Sequence, residues 1–238
     1  GLSDASVATP TAAPVSSTTY HVSVTDAIGC VAVDSIRITV DNPSNQNLSW
    51  TGAVSSDWST RGNWDIPCAI PGNGSNVTIP RCMSSPVNVP VIALGNLTIE
   101  NGLPLQLPNA MTINGTLSLQ SGSILLTNAD LTIGPAGSIS GGNAANYIVT
   151  TGTGTLKQVG VGAGARTGTV RYPVGPTASI YSPVELTNSG TADHFSVRVD
   201  PLARQRGAQG PPLTNHAVNL TWHILEGQLG GSNVALAL

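Results

Sequence analysis

The chain has 238 residues and a net charge of −3, and charged residues make up only 9% of it, against about a quarter in ordinary soluble domains. So weak a charge gives no reason to expect nucleic acid or an acidic membrane surface as a partner. A hydrophobic content of 40% excludes the charge-rich, aliphatic-poor composition of disordered chains. No apolar run approaches the roughly 18 residues that cross a bilayer, so no transmembrane segment is expected. Between Met83 and Leu156 the charged residues are Glu100 and Asp130 alone. Such a surface offers little repulsion between copies and suits a chain that packs against neighbours. Gly1 is not followed by a basic and apolar leader, so the sequence reads as a mature or trimmed product, or a segment of something longer.

Residues 1–41 read as partial immunoglobulin-like strands. Tyr20, Val22 and Val24 alternate with Thr19, His21, Ser23 and Thr25, the period of a half-buried strand. A turn at Asp26-Ala27-Ile28-Gly29 leads into a second alternating run through Val33, Ile36, Ile38 and Val40. Two strands do not stand alone in water, so something must complete their sheet. Tyr20, Val22, Val24, Val33, Ile36 and Ile38 are therefore candidate assembly residues.

Residues 42–75 form a polar linker and a tryptophan-rich segment, with Trp50, Trp58 and Trp64 accounting for three of the four tryptophans. The aromatic cluster reads first as a hydrophobic cap over the open end of the adjoining repeats, because large aromatics dominate core burial and repeat folds need capped ends. A sugar-stacking platform is the competing reading. A disulfide is expected between Cys68 and Cys82, closing a loop that contains Pro71, Gly72, Gly74 and Pro80, with Pro67 beside it. Such a bridge removes on the order of 3 kcal/mol of unfolded-state freedom. Two buried free thiols are the alternative, and Cys30 is left over. This cysteine usage points outside the cell.

Residues 76–156 repeat. Val77-Thr-Ile79, Leu97-Thr-Ile99 and Leu117-Ser-Leu119 recur at intervals of 20, as do Met111-Thr-Ile113 and Leu131-Thr-Ile133. The triplets are punctuated by Asn, Gly or Pro corners such as Asn101-Gly102, Asn114-Gly115 and Gly134-Pro135. The pattern predicts a short right-handed β-solenoid, in which stacked coils bury an aliphatic column that no single coil can bury. An antiparallel sandwich of short strands is the alternative. The register predicts that Ile79, Ile99, Leu119 and Ile139 stack in one inward column. Residues 157–238 change character, with alternating runs at Val170–Tyr172, Val184–Leu186, Phe195–Val199 and Val218–Ile224. They read as a partial β-sandwich whose last run places Val234, Leu236 and Leu238 on an open edge. The fold expected is all-β, a solenoid flanked by immunoglobulin-like or β-sandwich elements.

Catalytic constellations are absent from the sequence pattern. No G-x-S-x-G elbow, Cys-x-x-Cys or His-Glu-x-x-His occurs. His21, His194, His216 and His223 are scattered without metal-ligand spacing. Glu100 and Asp130 are one and a half repeats apart, which places them on different faces and not as a paired acid and base. Asp57 and Asp65 are too few ligands for calcium. No enzyme activity, metal or cofactor is expected. Lys157, Arg166, Arg171, Arg198, Arg204 and Arg206 form a basic stretch, a solvated face or a docking surface for an anionic glycan or acidic neighbour. Six Asn-x-Ser/Thr sites at Asn47, Asn73, Asn76, Asn96, Asn114 and Asn219 report surface loops at best.

Three groups of strings carry a family resemblance. Thr18-Thr-Tyr-His-Val-Ser-Val-Thr-Asp-Ala-Ile-Gly-Cys30 resembles the end of a PKD-type or immunoglobulin-like repeat of long Bacteroidota surface proteins. Trp50-Thr-Gly-Ala-Val-Ser-Ser-Asp-Trp58, with Gly62-Asn-Trp64 and Val77-Thr-Ile-Pro80, is similar to the opening of their solenoid-like modules. Tyr172-Pro-Val-Gly175 and Asn219-Leu-Thr-Trp222 resemble the region C-terminal to those modules. The resemblance implies a secreted multidomain adhesin or filament protein exported by the type IX route, with no catalytic residues to carry over. The expected function is that of an extracellular or cell-surface structural and adhesive protein: a filament subunit or the stalk segment of an adhesin. Its partners would be further copies joined head to tail by β-strand addition, or a host or cell-surface glycan. A carbohydrate-binding module of a secreted polysaccharide-degrading protein is the alternative.

Overall fold

A computed structural model describes residues 2–12, 14, 18–38, 45–66, 69–206, 209–213 and 218–238. Val40, Cys68, His216 and linker residues 41–44 lie outside the described residues. The chain is all-β, about 48% strand and 1% helix, and divides into two units, Gly1–Asn42 and Pro43–Leu238.

The larger unit is built on a β-solenoid of about 4 turns with three parallel faces. The first face stacks Ile92–Leu94, Met111–Ile113, Leu131–Ile133 and Leu156–Val161. The second stacks Asn47–Ser49, Asn76–Ile79, Leu97–Ile99, Thr116–Leu119 and Ser138–Ser140. The third stacks Leu105–Leu107, Ile124–Leu126, Ile148–Thr150 and Val174–Gly175. The three-residue strands arise directly from the sequence triplets. With a side-chain period of two, the outer members of each triplet point inward and the middle Thr or Ser points out. Ile79, Leu97, Ile99, Leu105, Leu107, Ile113 and Leu117 are all fully buried. Each such side chain contributes about 1.5–3 kcal/mol relative to exposure.

Register confirms the 20-residue interval over the first coils, where Ile79 aligns with Ile99 and Ile99 with Leu119. It corrects the expectation for Ile139, which aligns with Leu117 instead. The reason is a longer corner. Asn114-Gly115 separates Ile113 from Thr116, whereas Gly134-Pro135-Ala136-Gly137 separates Ile133 from Ser138, so the interval between facing residues grows to 22. Ile139 is also only partly buried, because Ser138–Ser140 ends its sheet.

The tight corners are held by an asparagine ladder. Asn76 donates its side-chain amide to Asn47 Oδ1 at 2.8 Å. Asn76 Oδ1 accepts the backbone N–H of Asn96 at 2.9 Å, and Asn96 Oδ1 accepts that of Thr116 at 2.6 Å. The ladder crowds the backbone inside it: a Cβ on Gly115 would meet Asn96 Oδ1 and would lie 2.8 Å from the carbonyl of Gly95. Three of the Asn-x-Ser/Thr asparagines are thus rungs of the coil and not loop decorations.

Past the last coil the first face changes direction. Asp193–Asp200 pairs antiparallel with Leu156–Val161, and Thr221–Glu226 pairs antiparallel with Asp193–Asp200. A second antiparallel sheet joins Thr169–Tyr172, Val184–Asn188 and Val234–Ala237. The two layers share the core through Val170, Tyr172, Val184, Leu186, Phe195, Val197 and Val199. They are cross-linked where Tyr172 Oη donates to the Phe195 carbonyl at 3.2 Å and Gln158 Nε2 to the Arg171 carbonyl at 2.8 Å. The six-stranded sheet therefore runs through residue 157 without a break.

In the unit Gly1–Asn42, Thr18–Thr25 and Val31–Ile38 form an antiparallel hairpin. Asp26 makes its turn, accepting the backbone N–H groups of Ile28 at 3.0 Å and Cys30 at 2.8 Å. Pairing Tyr20 with Ile36, and Val24 with Ala32, puts Tyr20, Val22, Val24, Ile36 and Ile38 on one face, with Asp34 among them opposite Val22. Val33 stands opposite Ser23, on the other face, which separates it from the apolar set to which its sequence run assigned it.

Core and edge columns predict different costs. Ile113→Ala, at a fully buried mid-solenoid site, should lower unfolding free energy by about 2–5 kcal/mol, and Ile139→Ala by distinctly less. Asn96→Ala should cost about 1 kcal/mol by removing a ladder rung. Urea denaturation of the three variants checks all of this.

Candidate functional site

The tryptophan segment closes the first coil. Trp50, Trp58 and Trp64 are buried, with Trp64 edge-on to Trp50 at 5.1 Å and to Trp58 at 4.8 Å. Trp50 Nε1 donates to the Ser84 carbonyl at 2.8 Å, and Trp64 Nε1 to the Trp58 carbonyl at 2.9 Å. A 3₁₀ turn at Arg61–Asn63 delivers Asn63 into the same region. Its Oδ1 accepts the N–H groups of Val54 and Ser55, and its Nδ2 donates to Ser55 Oγ and the Asp57 carbonyl. The buried amide is fully satisfied, whereas the buried Trp58 Nε1 beside it has no hydrogen-bond partner. With the rings packed inward, no indole face is left to stack on a sugar, so the segment is a cap.

Strand edges at this end are covered as well. Asp65 takes both backbone groups of Ser49, its N–H donating to the Ser49 carbonyl at 3.0 Å and its Oδ1 accepting the Ser49 N–H at 2.7 Å. Asn73 and Gly74 do the same for Ala93 on the first face, at 3.0 and 2.7 Å. Asp57 accepts from Ser59 and Asn88. The two aspartates thus serve the cap separately and do not converge on one ion. Glu100 comes directly after a strand of the second face, while Asp130 precedes one of the first and accepts from the Thr155 N–H and hydroxyl, so these carboxylates do not converge either.

The basic stretch is largely spent on internal partners. Arg166 turns inward, donating to Gln158 Oε1 at 2.7 Å and to the Gly134 carbonyl at 2.9 Å, and burial lowers its pKa. Arg171 pairs with Glu185 at 3.8 Å and lies over the Tyr181 ring. Arg198 pairs with Asp200, whose other oxygen is 2.7 Å from His223 Nε2. Arg204 donates to the Gly210 carbonyl at 3.0 Å. Cys30 and Cys82 are free, exposed thiols. No disulfide is present among the described residues, so the bridge expected at Cys82 is not formed there, and Cys68 lies outside them.

What the larger unit leaves open is its other end. Thr221–Glu226 and Val234–Ala237 are each the last strand of their sheet. Trp222 and Ile224 share the core phase with Val199 and Val197 but are only partly buried. Leu236 aligns with fully buried Leu186, yet is itself 50% exposed. Val234 and Leu238 are also exposed. The hairpin of the smaller unit has the matching deficiency: Val22, Val24 and Ile36 on its apolar face are 55%, 61% and 66% exposed. The structure therefore leaves Val22, Val24, Ile36, Val234, Leu236 and Leu238 exposed, whereas Tyr20 and Ile38 are partly buried and Val33 is exposed on the other face of the hairpin. Trp222 and Ile224 belong with the C-terminal set and were hidden in sequence, because an edge strand has the same alternation as a central one.

Fold and edges together define the class: an all-β protein whose β-solenoid is capped at one end and continued at the other into two antiparallel layers with open edges. No protein-family profile, curated protein or solved structure matches the sequence.

The cap carries a pH dependence. The Ser59 N–H and the Asn88 amide hold the Asp57 carboxyl below its ordinary value. A carboxyl with a depressed folded-state pKa stabilises above its unfolded value of about 4, and this is lost as pH falls through the depressed folded value. Asp57→Asn should therefore remove stability at neutral pH but not in strong acid. Tryptophan-monitored denaturation across pH reads the difference.

Proposed function

We propose that this protein is an extracellular, non-catalytic structural or adhesive element, a filament subunit or adhesin stalk segment that joins copies head to tail by β-strand addition. The observation that carries the reading is the exposure of Val22, Val24 and Ile36 on the hairpin, together with the unfinished core between the C-terminal layers. A two-stranded sheet is not stable alone in water, and an exposed edge templates another chain's strand. The hairpin and the two layers are, on this reading, portions of immunoglobulin-like sandwiches completed in the assembly, and the solenoid winds right-handed as a spacer. A contact between two different surfaces of the same chain propagates unless its rotation closes a ring, which is the geometry of a fibre. The weakly charged surface favours such packing.

Two lysines on the hairpin face test this. Val22→Lys with Ile36→Lys alters exposed positions and leaves the solenoid intact, but places charge where a partner would pack. The double variant should raise the concentration needed for assembly by about tenfold or more, as light scattering and electron microscopy would show. A full chain that stays monomeric, or a double variant that assembles like the parent, would refute the proposal.

A further inference from the structure

Three corners of the larger unit are Asn-Gly dipeptides: Asn73-Gly74, Asn101-Gly102 and Asn114-Gly115. This pair is prone to spontaneous loss of its side-chain amide, because glycine has no side chain to shield its backbone nitrogen. That nitrogen gives its proton to solvent and attacks the asparagine Cγ. The new N–Cγ bond closes a succinimide ring, and the side-chain nitrogen leaves as ammonia. Water then opens the ring at either carbonyl, giving aspartate or isoaspartate. The reaction needs a glycine N–H free to lose its proton and a carboxamide folded over its own turn.

Coil stacking opposes the first requirement at all three corners. Gly74 N–H donates to the Ala93 carbonyl at 2.7 Å, Gly115 N–H to the Gly95 carbonyl at 2.6 Å, and Gly102 N–H to the Ser121 carbonyl at 3.1 Å. Each acceptor lies on a neighbouring coil, so the proton comes free only when two coils part locally. The bond at Gly102 is the longest of the three, and the only one beyond the usual length of about 2.9–3.0 Å.

The carboxamides differ as well. Asn73 Oδ1 is drawn across to the next coil, where it accepts the Ala93 N–H at 3.0 Å. Asn114 Oδ1 lies against Gly134, where an added Cβ would come within 2.6 Å of it. Asn101 Oδ1 instead stays over its own turn, accepting the Leu103 N–H at 3.3 Å. That donor polarises the carbonyl that Gly102 N would attack. Asn73 and Asn114 are the more exposed side chains, but ring closure is limited by the glycine nitrogen and the carboxamide, not by access of water. We infer that Asn101 is a modification site, where the folded chain converts spontaneously to aspartate or isoaspartate while the stacked coils spare Asn73 and Asn114. Conversion places a new negative charge next to Glu100 and removes the amide that donates to Ser85 Oγ at 2.9 Å. Isoaspartate also lengthens the main chain by a methylene, which moves Gly102 off the Ser121 carbonyl and loosens the two coils joined there.

Peptide mapping of the full chain, aged in mildly alkaline buffer both folded and unfolded in urea, tests the assignment. Mass spectrometry reads the amide-to-acid conversion at each corner, and enzymatic methylation reads isoaspartate. In urea the three asparagines should convert at similar rates. In the folded chain Asn101 should convert first, with Asn73 and Asn114 slowed by about tenfold or more relative to urea, since both must wait for the stack to open. Conversion of Asn73 or Asn114 ahead of Asn101 in the folded chain would overturn the assignment. So would an Asn101 that stays intact when folded over a time in which the unfolded chain converts fully. Rates at Asn73 and Asn114 that are equal with and without urea would overturn protection by the stack.

Discussion

Each coil of this protein has a core only because another coil lies on it. A triplet such as Leu97-Thr-Ile99 buries two aliphatic side chains, but on three narrow faces these meet only the edges of their own coil. Stacking supplies the remaining contacts, and the columns through Ile79, Ile99 and Leu119 are the outcome. The corner ladder of Asn47, Asn76 and Asn96 arises from the same constraint. A tight turn repeated at fixed height leaves backbone N–H groups facing out of the sheets, and a side-chain amide one coil away satisfies them.

A stack that depends on neighbours has two ends that lack one, and this chain treats them differently. At the first coil, three tryptophans and a fully bonded Asn63 form a lid, and Asp65, Asn73 and Gly74 occupy the exposed strand edges. Past the last coil no lid is built among the described residues. The sheet reverses into antiparallel pairing, a second layer folds over it, and the core thins toward Trp222, Ile224 and Leu236. A closed end and an open one make a polar object, and polarity is what head-to-tail joining requires.

Much of the fold was legible in the sequence. Triplets of apolar, polar and apolar residues between Gly and Asn corners have few other solutions, and the tryptophan cluster marked the cap. The failures have identifiable physical causes. Ile139 sits 20 residues after Leu119, but two extra corner residues around Pro135 moved it one column over, and spacing alone does not reveal where an insertion falls. In Val31–Ile38 the apolar residues change phase between Val33 and Ile36, and only pairing with Tyr20, Val22 and Val24 decides which phase forms the apolar face. The basic stretch looked like a surface because its partners are remote. Arg166 bonds the carbonyl of Gly134, 32 residues earlier, and nothing local announces that. The antiparallel switch at Leu156–Val161 was invisible for the same reason, since its residues alternate as they would in another coil.

Backbone hydrogen exchange across a concentration series tests the claim of one closed and one open end most directly. Amides of the capped coils, among them Trp50 and Ala93, are bonded within the chain and should exchange slowly at every concentration. Amides of Thr19–Thr25 that face away from Val31–Ile38, and those of Val234–Ala237 that face away from Val184–Asn188, should exchange fast in dilute protein and become protected as copies join. Protection of Val234–Ala237 that is already complete in the monomer, or fast exchange there in fully assembled material, would contradict the account.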